Sequence, residues 1–395
     1  MQPLSTAYLK SSFLQHYKEK GFRVLESFPI VSNDPTVMFV NATITPLKDS
    51  FLSLKEPQNS ALIQRCFRMG GASELEVVGV NPYFHTFFEM FGVCMYGVDH
   101  VEAVREMLEL LNLWEIEFDR LYFAIPEDLE FAQPLMTNGV GKSHIFVLED
   151  SRIFWQEWRF GQCGPIGRGL TAIYDRGDSL PKSTKQMAED SDRFVKLLNL
   201  IHIYGREERS GQLRTIPNPG FDLGGGIERL AALVQGCDNY QTDAIQPLVR
   251  LVSDFLNKQA LNLNTKSARI LADHLRAVCV LSSEGLSPSN KKHGYALRKI
   301  IRRCLEIVWS SATEAVDCSG VVIPFCEQLG LGGIRIDSAI EIQESFRKES
   351  NVFLSSIRRA QRILEKNPNL DPSVLKDTYG LSTALVSLPK ERKTA

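Results

Sequence analysis

The ten residues Phe221–Leu230, with the sequence FDLGGGIERL, constrain this chain more than any other stretch. They place one carboxylate, Asp222, and three consecutive glycines ahead of Arg229 and an apolar run. Because glycine has no Cβ atom, a ligand can approach the backbone closely at these positions. An Asp beside them can hold an ammonium group, and an Arg at a helix start can hold a phosphate. Taken alone, the stretch is typical of a tight turn between a strand and a helix, so its neighbours must decide its meaning.

Composition narrows the class of protein. The chain has 395 residues, 44% hydrophobic and 23% charged, which is typical of a soluble globular protein with about two or three domains. The net charge of -2 gives no overall attraction to nucleic acid, so a nucleic-acid site would have to be a local basic patch. Eight scattered cysteines without a Cys-x-x-Cys pair argue against a disulfide framework or a cysteine zinc site. With no secretory signal and no apolar run of membrane length, we expect a cytoplasmic protein.

The spacing of apolar residues predicts the order of the secondary structure. It favours helices at 6–20 and about 99–113, and short antiparallel strands, such as Thr36–Val40 and Phe84–Phe88, between 24 and 175. A turn-rich stretch is expected to end in Pro217–Gly220, and the period is helical from about 227 onward. The prediction is therefore an α+β fold, an antiparallel sheet with flanking helices followed by an all-helical domain, with the boundary near 236.

Two further segments could carry chemistry. Arg65–Gly71 (RCFRMGG) is a strand-like run of arginines around Phe67 that ends in a loop. His85–Met90 (HTFFEM) offers aromatic surface on which an adenine ring could stack. Each has an ordinary alternative, a solvated strand face for the first and core packing for the second.

In their order along the chain, these three segments resemble motifs 2 and 3 of a class II aminoacyl-tRNA synthetase, and the alanyl-tRNA synthetase family in particular. The resemblance covers most of the chain. Other strings that carry it are Asn33–Thr36, Lys48–Leu52, Phe154–Gln156, Cys163–Pro165, Ala272–Arg276, Pro288–Asn290, Gly294–Arg298 and Asp377–Gly380. The family implies a class II synthetase-like sheet in a catalytic adenylation domain over 1–236, and a helical tRNA-recognition-like domain over 237–395.

The resemblance also implies an activity. The chain would activate alanine, or a similar small amino acid, with ATP and Mg²⁺ as an aminoacyl adenylate and transfer it to tRNA. Such a reaction needs positioning and cations rather than a covalent nucleophile. The implied site residues are Arg68 and Arg229 for catalysis; the same two with Phe88 and Glu228 for ATP; and Trp155, Asp222 and Gly224 for the amino acid. Trp155 and Gly224 would leave room for little more than a methyl side chain.

A basic stretch, Lys291–Arg303, places six cations in thirteen residues. Its apolar positions, Leu297 through Leu305, have helical spacing, so the cations should share the opposite face as a track for phosphates or simply as a solvated surface. By resemblance, an amide and a carboxylate would read the G·U pair of the tRNA acceptor stem. The implied tRNA contacts are Asn290, Arg298, Arg302, Arg303 and Asp377.

The chain departs from the family pattern at residues 72–76 and 166–170, and none of its seven histidines forms the His-x-x-x-His pair of the family's editing domain. No metal-ligand set is predicted from the protein. Three hypotheses remain: a minimal, non-editing alanyl-tRNA synthetase-like ligase; a paralogue that passes a small amino acid to an amine or a carrier protein; and a non-catalytic regulator that binds tRNA or amino acid. The preferred amino acid, the acceptor, a housekeeping or specialised role and the oligomeric state stay open, with a monomer favoured.

Overall fold

The chain folds into two compact units. The computed structural model describes residues 4–69, 72–81, 83–147, 158–160, 164–177, 192–259, 261, 263–311, 318–329, 336–368, 370–371 and 374–375. Unit 1 comprises Met1–Phe67 and Phe88–Thr242, and unit 2 comprises Arg68–Phe87 and Asp243–Ala395. The segment 68–87 therefore belongs with the later part of the chain. The proposed functional boundary near 236 stays a prediction.

A single sheet forms the centre of unit 1. Its strands among the described residues are β1 (Arg23–Leu25), β2 (Ser60–Phe67), β3 (Phe87–Tyr96), β4 (Leu121–Ile125), β5 (Ile145–Val147), β6 (Trp158–Arg159), β7 (Pro165–Asp175), β8 (Phe194–Glu207) and β9 (Leu213–Gly226). The order is β1-β2-β3-β9-β8-β7-β4-β5, with β6 paired to β7. The pairs from β3 through β9, β8 and β7 to β4 are antiparallel, and parallel pairs stand at the two edges. The predicted antiparallel sheet is confirmed.

Helices flank the sheet and make up most of unit 2. They are α1 (Thr6–Glu19), α2 (Ile44–Leu52), α3 (Ala72–Val77), α4 (His100–Leu113), α5 (Ala132–Thr137), α6 (Ile227–Val234), α7 (Gln246–Asn257), α8 (Thr265–Ser283), α9 (Lys292–Ser311), α10 (Val322–Gln328) and α11 (Ile336–Lys366). The α+β class with a helical second part is thus confirmed, as are the helices predicted at 6–20 and 99–113. None of the helices in the described part of the chain is both long and apolar enough to cross a membrane.

The two faces of the sheet differ in how closely a helix approaches. On one face, Phe91 of β3 packs against Phe13 of α1 and Trp114 after α4, with ring centroids 5.6 and 5.0 Å apart. Because side chains alternate along a strand, Gly92 points to the other face, where a Cβ atom would lie 2.4 Å from the side chain of Thr43. Thr43 immediately precedes α2. The glycine is therefore required for the start of α2 to lie directly on the sheet.

Two predicted strands are wrong, for reasons the hydrogen bonds explain. Residues 36–40 form only an isolated bridge between Phe39 and Val31, because the side chain of Asp34 accepts the N–H of Thr36 in a local turn. The strand expected at 84–88 begins only at Phe87. The backbone N–H of Thr86 donates to Asp273 of unit 2 instead.

The turn expected at Pro217–Gly220 lies inside β9. The pairing of β8 with β9 jumps there from Gly205 with Thr215 to Ile203 with Gly220. This irregularity accommodates prolines, which cannot donate a ladder hydrogen bond.

Candidate active site

Asp222 lies in the middle of the sheet, opposite Cys94 of β3 and Ile201 of β8. It is 8% exposed, and its Oδ1 atom accepts no hydrogen bond from the described residues. Desolvation by burial raises the pKa of this carboxyl group to about 7. A buried carboxylate without compensation costs free energy. A ligand ammonium group would remove that cost, so Asp222 has the character of a binding residue rather than a structural one.

The surface beside Asp222 carries little side-chain bulk. Gly224, two residues further along β9, points to the same face and lies opposite Gly92 and Asn199. A Cβ atom on Gly224 would lie 3.3 Å from Oγ1 of Thr43. Thr43 therefore lies over two buried glycines, and the space next to the carboxylate is small. The role of Gly224 in binding an amino acid stays a prediction.

The start of α6 brings an acid and an arginine to the end of β9. Glu228 is 4% exposed, and both of its carboxylate oxygens accept the backbone N–H of Glu89 at 3.1 Å. Arg229 donates from Nη1 to the carbonyl oxygen of Lys196 at 2.7 Å. Glu228 therefore anchors α6 to β3, while Arg229 is held against β8 in a fixed direction.

Lys196 makes this region more positive. Its pKa is lowered by burial and, secondarily, by the charge of Arg229. Two cations this close favour an anionic ligand between or beside them. Sequence reasoning missed Lys196, although a lysine within the apolar run FVKLLNLI of β8 was a usable signal.

Phe88, the predicted adenine platform, is half-buried in β3. The register places Met90 opposite Gly226, so Phe88 lies beside the start of α6, where Glu228 and Arg229 begin the helix. Asp222 and Gly224 thus lie on β9, Glu228 and Arg229 begin the helix that follows it, and Phe88 lies on the neighbouring strand β3.

Other predicted residues are Arg68, Trp155 and Asp377. Arg68 is exposed, directly follows β2 and belongs to unit 2. Its backbone N–H donates to the carbonyl of Thr86 at 2.9 Å. Its role as a catalytic cation stays a prediction. Trp155 and Asp377 lie outside the described residues.

The basic helix α9 is amphipathic as predicted, with its apolar positions buried: Leu297, Ile300, Ile301, Cys304 and Leu305. Arg298 and Arg302 donate from Nε to the two carboxylate oxygens of Glu349 on α11, at 2.9 and 3.0 Å. Glu349 is 4% exposed. These arginines therefore join α9 to α11, a role that the sequence did not predict because Glu349 lies 47 residues beyond Arg302.

Arg298 also positions one of the predicted tRNA contacts. Its Nη1 atom donates to Oδ1 of Asn290, an exposed residue just before α9. Arg303 is half-buried, and its charge lowers the pKa of Glu306 against the stronger raising effect of burial. Asn290, Arg298, Arg302 and Arg303 thus lie on or next to one helix.

Comparisons with known proteins identify the family of this chain. Residues 8–393 match the protein family described as "tRNA synthetases class II (A)". The alanine–tRNA ligase of Stenotrophomonas maltophilia (strain K279a) is 32% identical over 419 residues, which cover 98% of this chain and 47% of that protein. That of Acidithiobacillus ferridurans is 32% identical over 375 residues, covering 91% and 42%. The chain spans slightly less than half the length of these relatives.

Two solved structures are similar over part of the chain. An apo histidyl-tRNA synthetase of S. aureus covers 59% of this chain and 70% of its own, with a TM-score of 0.36 and 10% identity. The pyrrolysyl-tRNA synthetase PylSc of Desulfitobacterium hafniense covers 60% and 71%, with a TM-score of 0.32 and 11% identity. Because the family description matches nearly the whole chain, this protein belongs to the class II (A) tRNA synthetases, and its catalytic unit is related to that of the alanine–tRNA ligases.

Proposed function

We propose that this chain is an ATP-dependent, AMP-forming ligase that activates alanine or a similar small amino acid and transfers it to tRNA in the cytoplasm. The observation that carries the proposal is Asp222, a buried carboxylate with a raised pKa whose Oδ1 atom accepts no hydrogen bond from the described residues, on the same face of β9 as Gly224. An amino acid zwitterion supplies the ammonium group that this acid lacks.

The proposed reaction uses the residues that the resemblance assigns to it. With its ammonium group on Asp222, the amino acid directs a carboxylate oxygen at the α-phosphorus of ATP. The new oxygen–phosphorus bond forms as the bond to pyrophosphate breaks. Arg229, held by the Lys196 carbonyl, and Arg68 neutralise the charge that builds on the phosphate, while Phe88 stacks on adenine. A tRNA hydroxyl then attacks the activated carbonyl and releases AMP.

Mg²⁺ bound to the triphosphate would supply additional charge neutralisation. Glu228, the buried acid at the start of α6 among the proposed ATP-binding residues, already accepts the N–H of Glu89. We therefore assign no protein ligand to this ion.

Transfer to tRNA is supported by unit 2. The amide of Asn290, with its oxygen held by Arg298, keeps its NH₂ group as a donor for a base edge. Arg303 and the exposed Lys299 lie on the same helix and suit phosphates, and Asp377 would complete the reading of the acceptor stem.

One observation favours a second candidate, a ligase with a non-tRNA acceptor such as an amine or a carrier protein. The Nε atoms of Arg298 and Arg302 both donate to the carboxylate of the buried Glu349. This ion-pair network reduces the positive charge that α9 offers to a phosphate backbone.

Pyrophosphate exchange with alanine, serine and glycine tests the activation step. We expect exchange with alanine above the other two. Charging of a tRNA with an acceptor-stem G·U pair tests the acceptor. Exchange without charging would establish the second candidate, and no exchange with any amino acid would leave a non-catalytic regulator.

Asn290→Ala separates the two steps. We expect charging to fall about tenfold or more, because a base-edge contact is lost, while exchange is unchanged. Asn351→Ala removes an exposed asparagine of α11 in the same unit and is the matched control. Equal charging by both variants would exclude Asn290 as a reader of the stem.

Gly224→Ala should change the choice of amino acid. The new Cβ atom would lie 3.1 Å from the carbonyl oxygen of Phe91 and 3.3 Å from Oγ1 of Thr43, so small adjustments accommodate it. The added methyl group occupies space beside Asp222. We expect kcat/KM for alanine to fall about 10- to 200-fold, the effect of one methyl-sized group, and kcat/KM for glycine to change little.

The matched control is Gly205→Ala. Its Cβ atom would lie 3.1 Å from a carbonyl oxygen, that of Arg214, in a part of β8 that does not pair beside Asp222. This variant should leave the ratio of alanine to glycine activation unchanged. Equal losses for both amino acids in Gly224→Ala would contradict a role in side-chain selection.

A further inference from the structure

Three side chains from distant parts of unit 1 converge on the face of the sheet opposite Asp222. They are His100, the first residue of α4; Glu130, two residues before α5; and His202 of β8. His202 pairs with Phe221, and residues 221 and 222 point to opposite faces. Their donor atoms all lie within 4.8 Å of one another. We call this group the His–Glu–His cluster.

Both imidazoles approach the same carboxylate oxygen. Nδ1 of His202 donates to Oε1 of Glu130 at 2.9 Å. Nε2 of His100 lies 2.6 Å from the same oxygen, but this buried atom makes no hydrogen bond with the described residues, because the approach is poorly aligned. The carboxylate oxygen thus has an imidazole nitrogen on each side, but only one of the two is hydrogen-bonded to it. This arrangement resembles a set of metal ligands more than a complete hydrogen-bond network.

The charge of the cluster suits a cation. Glu130 supplies a carboxylate group, and its Oε1 atom lies between the two imidazoles. The neighbouring Arg168 lies opposite His202, and its charge is balanced by an ion pair with Asp128. With neutral imidazoles, the cluster carries one net negative charge.

Aromatic rings fix the orientation of the imidazoles. The ring of His202 stacks on Phe221 with centroids 4.8 Å apart, and that of His100 meets the edge of the same ring at 4.9 Å. Phe131 packs against His100 from another side at 5.3 Å. Ligands held in this way lose little conformational freedom on binding.

We infer that the His–Glu–His cluster is a binding site for a divalent first-row transition-metal ion, with Zn²⁺ as the best fit to two imidazoles and one carboxylate. Tetrahedral bonds of about 2.0–2.2 Å place ligand atoms about 3.4 Å apart, so binding requires only sub-ångström opening of the present contacts. Three protein ligands leave a fourth position for water. The ion would connect three parts of unit 1: the start of α4, the segment that precedes α5, and strand β8. This site would be separate from the proposed adenylation site on the other face of the sheet.

A second group with similar ligand types consists of His16, Glu106 and Glu109, but it is not suited to a metal ion. Its donor atoms are equally close, but the ammonium group of Lys20 forms ion pairs with both acids, at 2.6 and 2.5 Å. The ammonium group already supplies the positive charge that a metal ion would bring. This group therefore serves as an internal control.

Isothermal titration of tag-free full-length protein with ZnCl₂, after dialysis against EDTA and then metal-free buffer, tests the inference. We expect one equivalent to bind, with affinity falling about 100-fold or more in His202→Gln and Glu130→Gln, since even outer-shell partners of metal ligands are worth about 10- to 100-fold. His16→Gln should bind as the unchanged protein does. Circular dichroism confirms that each variant is folded.

Co²⁺ provides a second readout that needs no variant. Two nitrogens and a carboxylate around Co²⁺ should give visible d–d absorption bands that one equivalent of Zn²⁺ abolishes. No tight equivalent in the titration, bands absent on Co²⁺ addition, or binding that only His16→Gln reduces would each overturn the inference.

Discussion

Replacement of Asp222 by asparagine is expected to abolish amino acid activation and, at the same time, to stabilise the folded protein at pH 8. The activity is lost because a neutral amide cannot compensate the substrate's ammonium charge. We expect pyrophosphate exchange to fall about 1,000-fold or more, in the range seen when a single essential electrostatic contact is removed.

The gain in stability arises because the same negative charge is unfavourable when no substrate is bound. The carboxyl pKa is raised from 3.8 to about 7 by burial, which corresponds to on the order of 4 kcal/mol of unfavourable free energy once the group ionises in the unliganded fold. A raised acid pKa contributes stability below about pH 4 that is lost as the pH rises through 7. Because asparagine does not ionise, the variant should be more stable by on the order of 4 kcal/mol at pH 8 and nearly equal at pH 4.

Urea denaturation at pH 4, 6 and 8 measures this difference. Asp175→Asn is the matched control, because Asp175 is also buried in the sheet but is held by Arg193 at 2.6 and 2.8 Å. That variant should be destabilised at pH 8, since it weakens a compensated ion pair. If Asp222→Asn were destabilised to the same degree, Asp222 would be a structural residue and the proposed substrate site would be wrong.

Replacement of Arg229 by alanine should lower kcat/KM for exchange about 100- to 1,000-fold, mostly through kcat. The guanidinium group, held in place by its bond to the Lys196 carbonyl, stabilises charge that develops only in the transition state. Arg229→Lys should recover little of this loss, because an ammonium group cannot reproduce the planar fork of donors.

Steady-state exchange with ATP as the varied substrate distinguishes binding from catalysis for this residue. Arg214→Ala removes an arginine of the same strand-helix region that is largely exposed and pairs with Glu208, so exchange should be unchanged. A rise in KM for ATP with kcat unaffected would show that Arg229 only binds the nucleotide.

Local sequence explains why three of the predicted site residues lie close together, and it does not reveal the residues packed around them. Asp222, Gly224 and Arg229 lie within eight residues, so the strand-to-helix geometry places them together without help from distant segments. Lys196 and Thr43 approach this region only because β8 and the start of α2 are brought there by the sheet. The His–Glu–His cluster has the same character, since Glu130 and His202 are 72 residues apart and no local spacing connects them.

Helices were predicted more reliably than strands for a physical reason. The apolar period of α1 and α4 follows from contacts within each helix, and Asp99 caps α4 through a reciprocal bond with Glu102. Residues 84–86 have strand-like composition, but the carboxylate of Asp273 competes for their hydrogen bonds. Such competition from a residue almost 190 positions away leaves no pattern in the local sequence.

The assignment of residues 68–87 to unit 2 has a consequence for how the protein is made. The ribosome produces this segment early, but His85 and Thr86 acquire their carboxylate partner only when Asp273 emerges. The second unit therefore begins at residue 68 but cannot be completed until the later part of the chain is made, and the polypeptide crosses between the units three times. A gene truncated after residue 242 would remove the carboxylate that binds His85 and Thr86, so expression of all 395 residues is the appropriate starting point for biochemistry on this protein.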